Sequence, residues 1–267
     1  MDINPQAQDP LPLIDTHAHL DELEDLEASL KRAQDVGVVV IIAVGVDYKS
    51  NVRVLEIAEK YSGFVYPALG LHPWQLGMMD AKEFEQVLRL IEDNVSKVVA
   101  IGEVGLDYHK RVRAGADKGQ QKKAFASLLE LAASYDKPIL IHSRYAWQDA
   151  FALTKEAKIK RAVFHWYTGF SSVLHQIIAS GYLLSATPAA EYHREHRRAI
   201  REAPLTSLLL ETDCPVEYGR EARFRAEPAD VMRSLAAVAE LKGLDKETIA
   251  TTTANNAVAF FDLVGPG

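Results

Sequence analysis

The chain has 267 residues, of which 48% are hydrophobic and 25% are charged, and its formal net charge is -7. This composition is that of a globular protein with enough apolar residues for a large core. The acidic balance argues against a protein that coats nucleic acid non-specifically, although it says little about a local basic cleft. A single cysteine, Cys214, excludes an internal disulfide and favours a reducing compartment.

Nothing in the sequence indicates secretion, membrane insertion or division into domains. The first twelve residues, MDINPQAQDPLP, lack a basic region followed by an apolar stretch, and no apolar run approaches membrane-spanning length. No Ser- or Gly-rich linker, charge block or repeat separates two cores. We therefore expect a cytoplasmic protein with one domain over residues 1–267, no membrane association and no stable protein partner.

Eight short apolar runs alternate with longer amphipathic segments. The runs are rich in Val, Ile and Leu, as expected for parallel strands covered on both faces, and span residues 11–14, 36–44, 64–69, 98–101, 138–141, 162–164, 181–185 and 208–210. Helical spacing is found over 23–37, 50–61, 81–94, 119–135, 146–156, 171–180, 192–202, 228–241 and 246–261. The alternation predicts an α/β fold, a (β/α)8 TIM barrel, rather than an open doubly wound sheet, which normally has about five or six strands.

The first predicted strand leads into a pair of candidate metal ligands. In an extended backbone successive side chains point to opposite faces, so His17 and His19 share a face while Ala18 points away. Two imidazoles on one face are suited to a divalent metal ion. By itself this spacing is a weak signal, because such a pair is equally well explained as structural histidines.

Four later apolar runs also end in a side chain that binds metals, namely Glu103, His142, His165 and Asp213. All strands of a (β/α)8 barrel direct their C-terminal ends to one mouth, so these residues and the histidine pair converge there. Four imidazoles and two carboxylates exceed what one catalytic ion needs while it keeps an open position. The pattern predicts two divalent ions at the mouth, and Zn, Mn and Mg are all chemically possible.

Short motifs are spread over nearly the whole chain: HAH at 17–19, GLHP at 70–73, GEVGLDY at 102–108, PILIHSR at 138–144, VFH at 163–165, ETD at 211–213, EP at 227–228 and NNA at 255–257. In these motifs the chain resembles the TatD family of metal-dependent hydrolases, within the wider amidohydrolase-type barrels. The resemblance implies that His17, His19 and Asp213 hold one metal ion. It also implies that His142 and His165 hold the other, with Glu103 as the bridging ligand.

The same resemblance implies a phosphodiesterase that acts on DNA, an exonuclease-type deoxyribonuclease. A hydroxide between two ions about 3.5–4 Å apart is a nucleophile at neutral pH, because the metals lower the pKa of bound water to roughly 7. Asp213 is the candidate general base that orients this water. Since such a nucleophile also attacks carbonyl carbon, an amide or ester hydrolase such as a deacylase is the alternative, and a non-catalytic metal-binding protein is a third possibility.

The chain departs from the family pattern at two places, which bear on substrate preference rather than on the ligands. Residues 165–169 read HWYTG where the family commonly has HCFSG, and Ala226 stands where an Asn is common. We discount Cys214 as a nucleophile, because the nearby histidines that could activate it are candidate ligands. Four other histidines are interpreted as ordinary loop or surface residues, with the first close to the predicted mouth: His109, His175, His193 and His196.

Candidate substrate-binding residues are cationic groups near the predicted mouth. His72 and Arg144 follow strands three and five and suit an anionic substrate, although His72 is explained equally well as a structural loop residue. Basic residues also crowd into residues 110–123, 194–201 and 220–225, of which we interpret the middle segment as a solvated helix face. The outer two predict a rim for DNA or another phosphodiester substrate, formed by Arg111, Arg113, Arg223 and Arg225.

Overall fold

The computed structural model describes residues 11–263, so the predictions made for the first ten and last four residues lie outside the described part. Eight parallel strands form one sheet in the order β1 to β8. They are β1 (Leu13–Ala18), β2 (Val38–Val44), β3 (Val65–Leu71), β4 (Ala100–Gly105), β5 (Ile139–His142), β6 (Ala162–Phe164), β7 (Leu183–Ala186) and β8 (Leu208–Leu210). Each strand pairs with the next one in the chain, as the predicted barrel requires.

The first and last strands approach each other and bring the sheet close to full closure. The Thr16 hydroxyl donates to the Leu210 carbonyl at 2.9 Å. Just beyond the strands, Asp213 N donates to the His17 carbonyl and His19 N donates to the Cys214 carbonyl, each at 2.8 Å. These bonds join the two ends of the sheet at its C-terminal edge, and the predicted (β/α)8 barrel is confirmed.

Ten α-helices lie between and after the strands in the described residues, and all except the fourth follow the predicted segments within a few positions. They are α1 (Leu26–Asp35), α2 (Tyr48–Lys60), α3 (Ala81–Asp93), α4 (Lys110–Gly115), α5 (Lys118–Ser134), α6 (Trp147–Glu156), α7 (Ser171–Ala179), α8 (Arg194–Glu202), α9 (Val231–Lys242) and α10 (Lys246–Phe261). Asp47, Asp80 and Asp117 begin α2, α3 and α5 with reciprocal capping boxes, which satisfy backbone N–H groups of the first turn. None of the helices in residues 11–263 has the length and apolar character needed to cross a membrane.

Two strands, β1 and β4, extend furthest beyond the predicted apolar runs. β1 continues through His17, and β4 continues through Glu103 to Gly105, because the barrel interior near the mouth is lined by polar side chains that an apolar pattern does not detect. Two small elements were also missed, helix α4 and a hairpin of β9 (Glu217–Tyr218) and β10 (Phe224–Arg225). Both are too short for hydrophobic periodicity to be read.

The interior of the barrel is filled by one face of the strands and closed at the end opposite the mouth. Ile42, Leu140 and Leu209 belong to a buried cluster that also contains Phe260 of α10. Arg161, which directly precedes β6, donates to the Phe260 carbonyl at 3.0 Å, so α10 ends beneath the N-terminal edge of the strands. The opposite strand face packs against the surrounding helices in a larger cluster. Polar residues are therefore concentrated at the C-terminal mouth.

Candidate metal centre

Four side-chain atoms from three strand ends meet at one point of the mouth. His17 Nε2 lies 3.3 Å from His19 Nε2, 3.4 Å from Glu103 Oε2 and 3.6 Å from Asp213 Oδ1. His19 Nε2 lies 3.6 Å from Glu103 Oε2 and 3.3 Å from Asp213 Oδ1. All four side chains are buried. We call these atoms the first donor set.

The spacing of the first donor set suits a divalent ion. Ligand atoms about 2.0–2.1 Å from a tetrahedral zinc ion are about 3.3–3.4 Å from one another, since a tetrahedron edge is roughly 1.63 times the bond length. The five measured separations, 3.3–3.6 Å, agree with that value. A set of two imidazoles and two carboxylates is also chemically typical of zinc and manganese sites.

The other oxygen of the same glutamate faces a second donor set. Glu103 Oε1 lies 2.9 Å from both His142 Nδ1 and His165 Nε2, and these two nitrogens are 3.4 Å apart. This carboxylate is thus the point where the two sets meet, and the structure brings together all six residues that the sequence singled out as metal ligands.

Neighbouring groups contact the remaining nitrogen of two of the four imidazoles at hydrogen-bond distance. His19 Nδ1 lies 3.1 Å from the Val44 carbonyl, and His142 Nε2 lies 3.1 Å from Asp107 Oδ2. His165 Nδ1 faces Glu211 Oε1 at 3.5 Å but has no hydrogen-bond partner within residues 11–263. A proton on each of the first two nitrogens leaves the other nitrogen's lone pair directed into a donor set, the tautomer that a metal ligand requires.

Asp107 is a candidate functional residue within the GEVGLDY motif for which no role was predicted. Its Oδ2 atom accepts hydrogen bonds from three groups: His142 Nε2 at 3.1 Å, Arg144 Nη2 at 2.8 Å and Trp74 Nε1 at 2.7 Å. Burial would raise the pKa of this carboxyl, but the bonds to His142 and Arg144 outweigh it and hold the pKa well below its ordinary value. One oxygen therefore positions both a candidate ligand and a candidate substrate-binding cation.

Glu211 belongs to the ETD motif and likewise had no predicted role. The sequence signal for both residues was their place directly after a strand, in segments that carry a candidate ligand two or four positions away. Carboxylates are common in such loops. A role could therefore not be assigned to Asp107 or Glu211 before the structure showed which histidines they face.

The electrostatics of the cluster favour positive charge at its centre. Burial would raise the pKa of Glu103, but the imidazoles of His72, His165 and His142 hold it well below its ordinary value. Burial would likewise lower the pKa of His19, yet the Asp213 and Glu103 carboxylates raise it to about 9. Ionised carboxylates surrounded by imidazoles attract a cation, and divalent metals bind such sites.

Backbone geometry brings the two carboxylates into position. Gly70 of β3 packs so closely on β4 that a Cβ atom there would lie 2.5 Å from the backbone nitrogen of Glu103, so only glycine permits this approach. Asp213 has a φ of 51°, in the left-handed region, where the chain turns sharply after β8. This turn places its carboxylate beside His17 and His19.

The donor sets open into a pocket of about 810 Å³, here called the main pocket, whose volume is within the range of small-molecule sites. His72 lines this pocket with its Nε2 atom 3.5 Å from Glu103 Oε1. Its Nδ1 atom accepts a hydrogen bond from Trp74 N at 3.2 Å, and burial lowers its pKa to about 3. The neutral ring with Nδ1 as the acceptor therefore carries its proton on Nε2, on the side of Glu103 and the pocket.

The predicted arginines occupy different places. Arg144 and Arg225 line the 810 Å³ pocket, and Arg111 lines a neighbouring pocket of about 460 Å³. Arg113 is exposed on α4 and Arg223 is exposed in the loop between β9 and β10, and neither lines these two pockets. The structure thus places three of the five arginines where a substrate in these pockets would contact them.

The structure also shows the surroundings of the cysteine and of two histidines that were not predicted to be functional. Cys214 is buried, which raises the pKa of its thiol well above the ordinary value, so it is not activated as a nucleophile. His196 was wrongly interpreted as a loop or surface residue, since it is buried and bridges Thr187 N and the Tyr167 carbonyl. His193 is partly buried and lines the main pocket.

A closely similar fold occurs in a solved structure. The crystal structure of YjjV, a TatD homologue from Escherichia coli K12, superposes with a TM-score of 0.85 and 33% sequence identity, over 94% of this chain and 98% of that one. Together with the clustered imidazoles and carboxylates, this places the chain in the class of metal-dependent hydrolases built on a (β/α)8 barrel.

The sequence comparisons define the family within that class. The model of the TatD related DNase family matches residues 14–262. The deoxyribonuclease TATDN3 of Homo sapiens is 32% identical over 260 residues, which cover 93% of this chain and 94% of that protein. The metal-dependent hydrolase YabD of Bacillus subtilis is 34% identical over 257 residues, 93% of this chain and 98% of that protein. The chain belongs to the TatD family of metal-dependent hydrolases.

Proposed function

We propose that the protein is a dinuclear metal-dependent phosphodiesterase that cleaves DNA in an exonuclease-type reaction. The observation that carries the proposal is the position of Glu103, whose Oε2 atom faces the first donor set and whose Oε1 atom faces the second. A carboxylate placed in this way is suited to bridge two ions. The similarity to a human protein named as a deoxyribonuclease supports DNA as the substrate class.

In this proposal His17, His19, Asp213 Oδ1 and Glu103 Oε2 would hold one divalent ion. Glu103 Oε1 would share the second ion with His142 Nδ1 and His165 Nε2. When bound, two such ions would lower the pKa of a water molecule and polarise a phosphoryl oxygen. The donor sets suit Zn or Mn, and phosphate oxygens of the substrate would complete a site for Mg.

The remaining side chains orient the substrate and move the proton. Asp213 directs Oδ1 to the two histidines of the first set, which leaves Oδ2 to accept the proton of the attacking water. The His72 Nε2 proton and the Arg144 guanidinium face the pocket and would donate to phosphate oxygens. Because Arg144 is already held by Asp107, its guanidinium is ordered before substrate arrives.

Three sequence predictions remain predictions: the single domain over residues 1–267, the cytoplasmic location and the lack of a stable protein partner. One continuous eight-stranded sheet supports the first of these.

The proposed function is tested with purified protein loaded with Mg, Mn or Zn and assayed on three substrates. These are linear single-stranded DNA, a nitrophenyl phosphodiester and an acylated amine. We expect metal-dependent cleavage of the DNA and of the phosphodiester, and no cleavage of a covalently closed single-stranded circle. Turnover of the acylated amine without cleavage of either phosphodiester would replace the proposal with the amide hydrolase alternative, while cutting of the circle would exclude the exonuclease-type reaction.

A further inference from the structure

A second pocket of about 460 Å³, here called the flanking pocket, adjoins the main pocket at the barrel mouth. Trp74 and Arg144 line both pockets, so the two spaces meet at these side chains. The far side of the flanking pocket is formed by α4, including Arg111. A substrate held in the main pocket therefore has a continuous path across Trp74 and Arg144 into the flanking pocket.

The flanking pocket is lined by positive charge, which favours binding of an anionic group. Arg111 and Arg144 line it, and none of the described residues that line it is acidic. The Arg144 side chain is 38% exposed although its Nη2 atom lies 2.8 Å from Asp107 Oδ2, so the guanidinium is held in place and still lines the pocket. A guanidinium ordered in this way is suited to a phosphate oxygen.

An ordered aromatic ring lies beside these cations. The Trp74 side chain is 52% exposed, although its Nε1 atom donates to Asp107 at 2.7 Å and its ring lies 5.3 Å from the Arg144 guanidinium carbon. Exposed aromatic rings next to basic side chains form the stacking surfaces on which proteins bind unpaired bases. Because the ring is already fixed, little side-chain entropy is lost when a base stacks on it.

The backbone around the flanking pocket is also closely packed. Gly77, in the turn Gln75–Met78, packs against Gly115 of α4, and a Cβ atom on Gly77 would lie 2.7 Å from the Gly115 Cα. This contact joins the two segments that line the pocket. Met78 lines it from the exposed side, with 75% of its surface accessible.

We infer that the flanking pocket binds the nucleotide next to the scissile phosphodiester of a polynucleotide substrate. Arg111 and Arg144 contact the phosphate of that nucleotide and Trp74 stacks on its base. The inference rests on the proposed phosphodiesterase function and adds the place where the second nucleotide of the substrate binds.

The test compares Arg111→Ala with Arg113→Ala, because both arginines are exposed on α4 but only Arg111 lines the flanking pocket. We expect Arg111→Ala to raise KM for a linear oligonucleotide about 5- to 10-fold with kcat retained, and to reduce the salt dependence of binding by about one phosphate contact. Arg113→Ala should change KM less than 2-fold. Neither variant should alter the kinetics of a nitrophenyl phosphodiester, which is too small to extend beyond the main pocket.

A second pair of variants adds charge without removing an arginine. Met78→Glu places a carboxylate at the flanking pocket, and Met78→Gln is its neutral control on the same exposed position. We expect Met78→Glu to weaken binding of a fluorescein-labelled oligonucleotide at least 5-fold in anisotropy titrations, and Met78→Gln to bind within 2-fold of wild type.

The outcomes separate this inference from the proposed function. If wild type cleaves and binds the oligonucleotide but each variant matches its control, the flanking pocket is not a nucleotide site and the proposed function stands. If wild type neither cleaves nor binds the oligonucleotide, both fail. A rise in KM for the nitrophenyl phosphodiester in Arg111→Ala would assign Arg111 to the main pocket and also overturn the inference.

Discussion

The floor and the rim of the barrel mouth are built from different parts of the fold. The floor consists of the two donor sets, whose side chains lie in or directly after strands and are almost entirely buried. The rim consists of arginines on α4 and on the hairpin of β9 and β10, and their side chains are exposed. A closed sheet determines where every strand end lies, whereas short helices and hairpins lie where their own local contacts place them.

The two regions also differ in the strength of their charge interactions. At the floor, carboxylates and imidazoles interact at 2.9–3.6 Å away from solvent, where screening is weak. At the rim, Arg225 pairs with Glu24 and Arg223 with Glu217 among exposed side chains, and such pairs contribute only about 0–1 kcal/mol. We therefore expect the effects of substitution to decrease from the floor to the rim.

The largest effect is expected from Glu103→Ala. Because each carboxylate oxygen serves one donor set, the variant should lose both metal ions, and activity should fall by roughly 10³-fold or more. Elemental analysis after mild dialysis measures the metal content. Glu22→Ala removes another carboxylate that lines the main pocket but belongs to neither donor set, and should keep both ions. Wild-type metal occupancy in Glu103→Ala would show that Glu103 does not bridge.

Asp213→Asn should keep the fold but lower kcat by roughly 10²- to 10⁴-fold, the usual contribution of a general base. The amide preserves the shape of the side chain while it removes the basic oxygen. Circular dichroism checks the fold and steady-state kinetics give kcat. Activity within a few-fold of wild type would exclude Asp213 as the base.

Asp107→Asn tests whether the carboxylate that contacts His142 and Arg144 affects metal affinity and activity as strongly as the donor sets do. Loss of the carboxylate that orients His142 and Arg144 should reduce metal affinity or activity by about 10- to 100-fold. Trp74→Phe is the control for metal affinity only, since it removes the indole bond to the same oxygen but also changes the ring that is proposed to stack on a base, and it should lower metal affinity less than Asp107→Asn. Metal titration measures both variants, and kcat/KM is measured for Asp107→Asn. Equal losses of metal affinity would mean that Asp107 acts through Trp74 rather than through the histidine.

The smallest effect is expected at the rim. Arg225→Ala should raise KM for DNA about 2- to 5-fold without a change in kcat, because Arg225 lines the main pocket and its pair with Glu24 is exposed. Arg223 has a side chain that is 74% exposed and lines neither pocket, so Arg223→Ala should remain within 2-fold of wild type. A salt series of KM values checks both. A larger effect from Arg223 than from Arg225 would place the substrate on the outer side of the hairpin.

The sequence by itself determined the barrel and the composition of the floor. Eight apolar runs separated by helical segments allow few other folds, and once the strands are parallel in a barrel their ends must converge. His17, His142 and Asp213 could therefore be grouped although they are far apart in the chain. The histidine pair separated by one residue needed only the alternation of an extended strand.

The tertiary structure alone decided what surrounds the floor. Asp107 contacts His142, Arg144 and Trp74. These contacts depend on the positions of three separate segments that follow different strands, and no periodicity in the chain encodes them. For the same reason Arg111 and Arg113, two residues apart with the same chemistry, could not be distinguished by sequence. The direction of each side chain on the short helix α4, and hence which arginine faces the flanking pocket, is determined by the packing of that helix against the turn at Gly77.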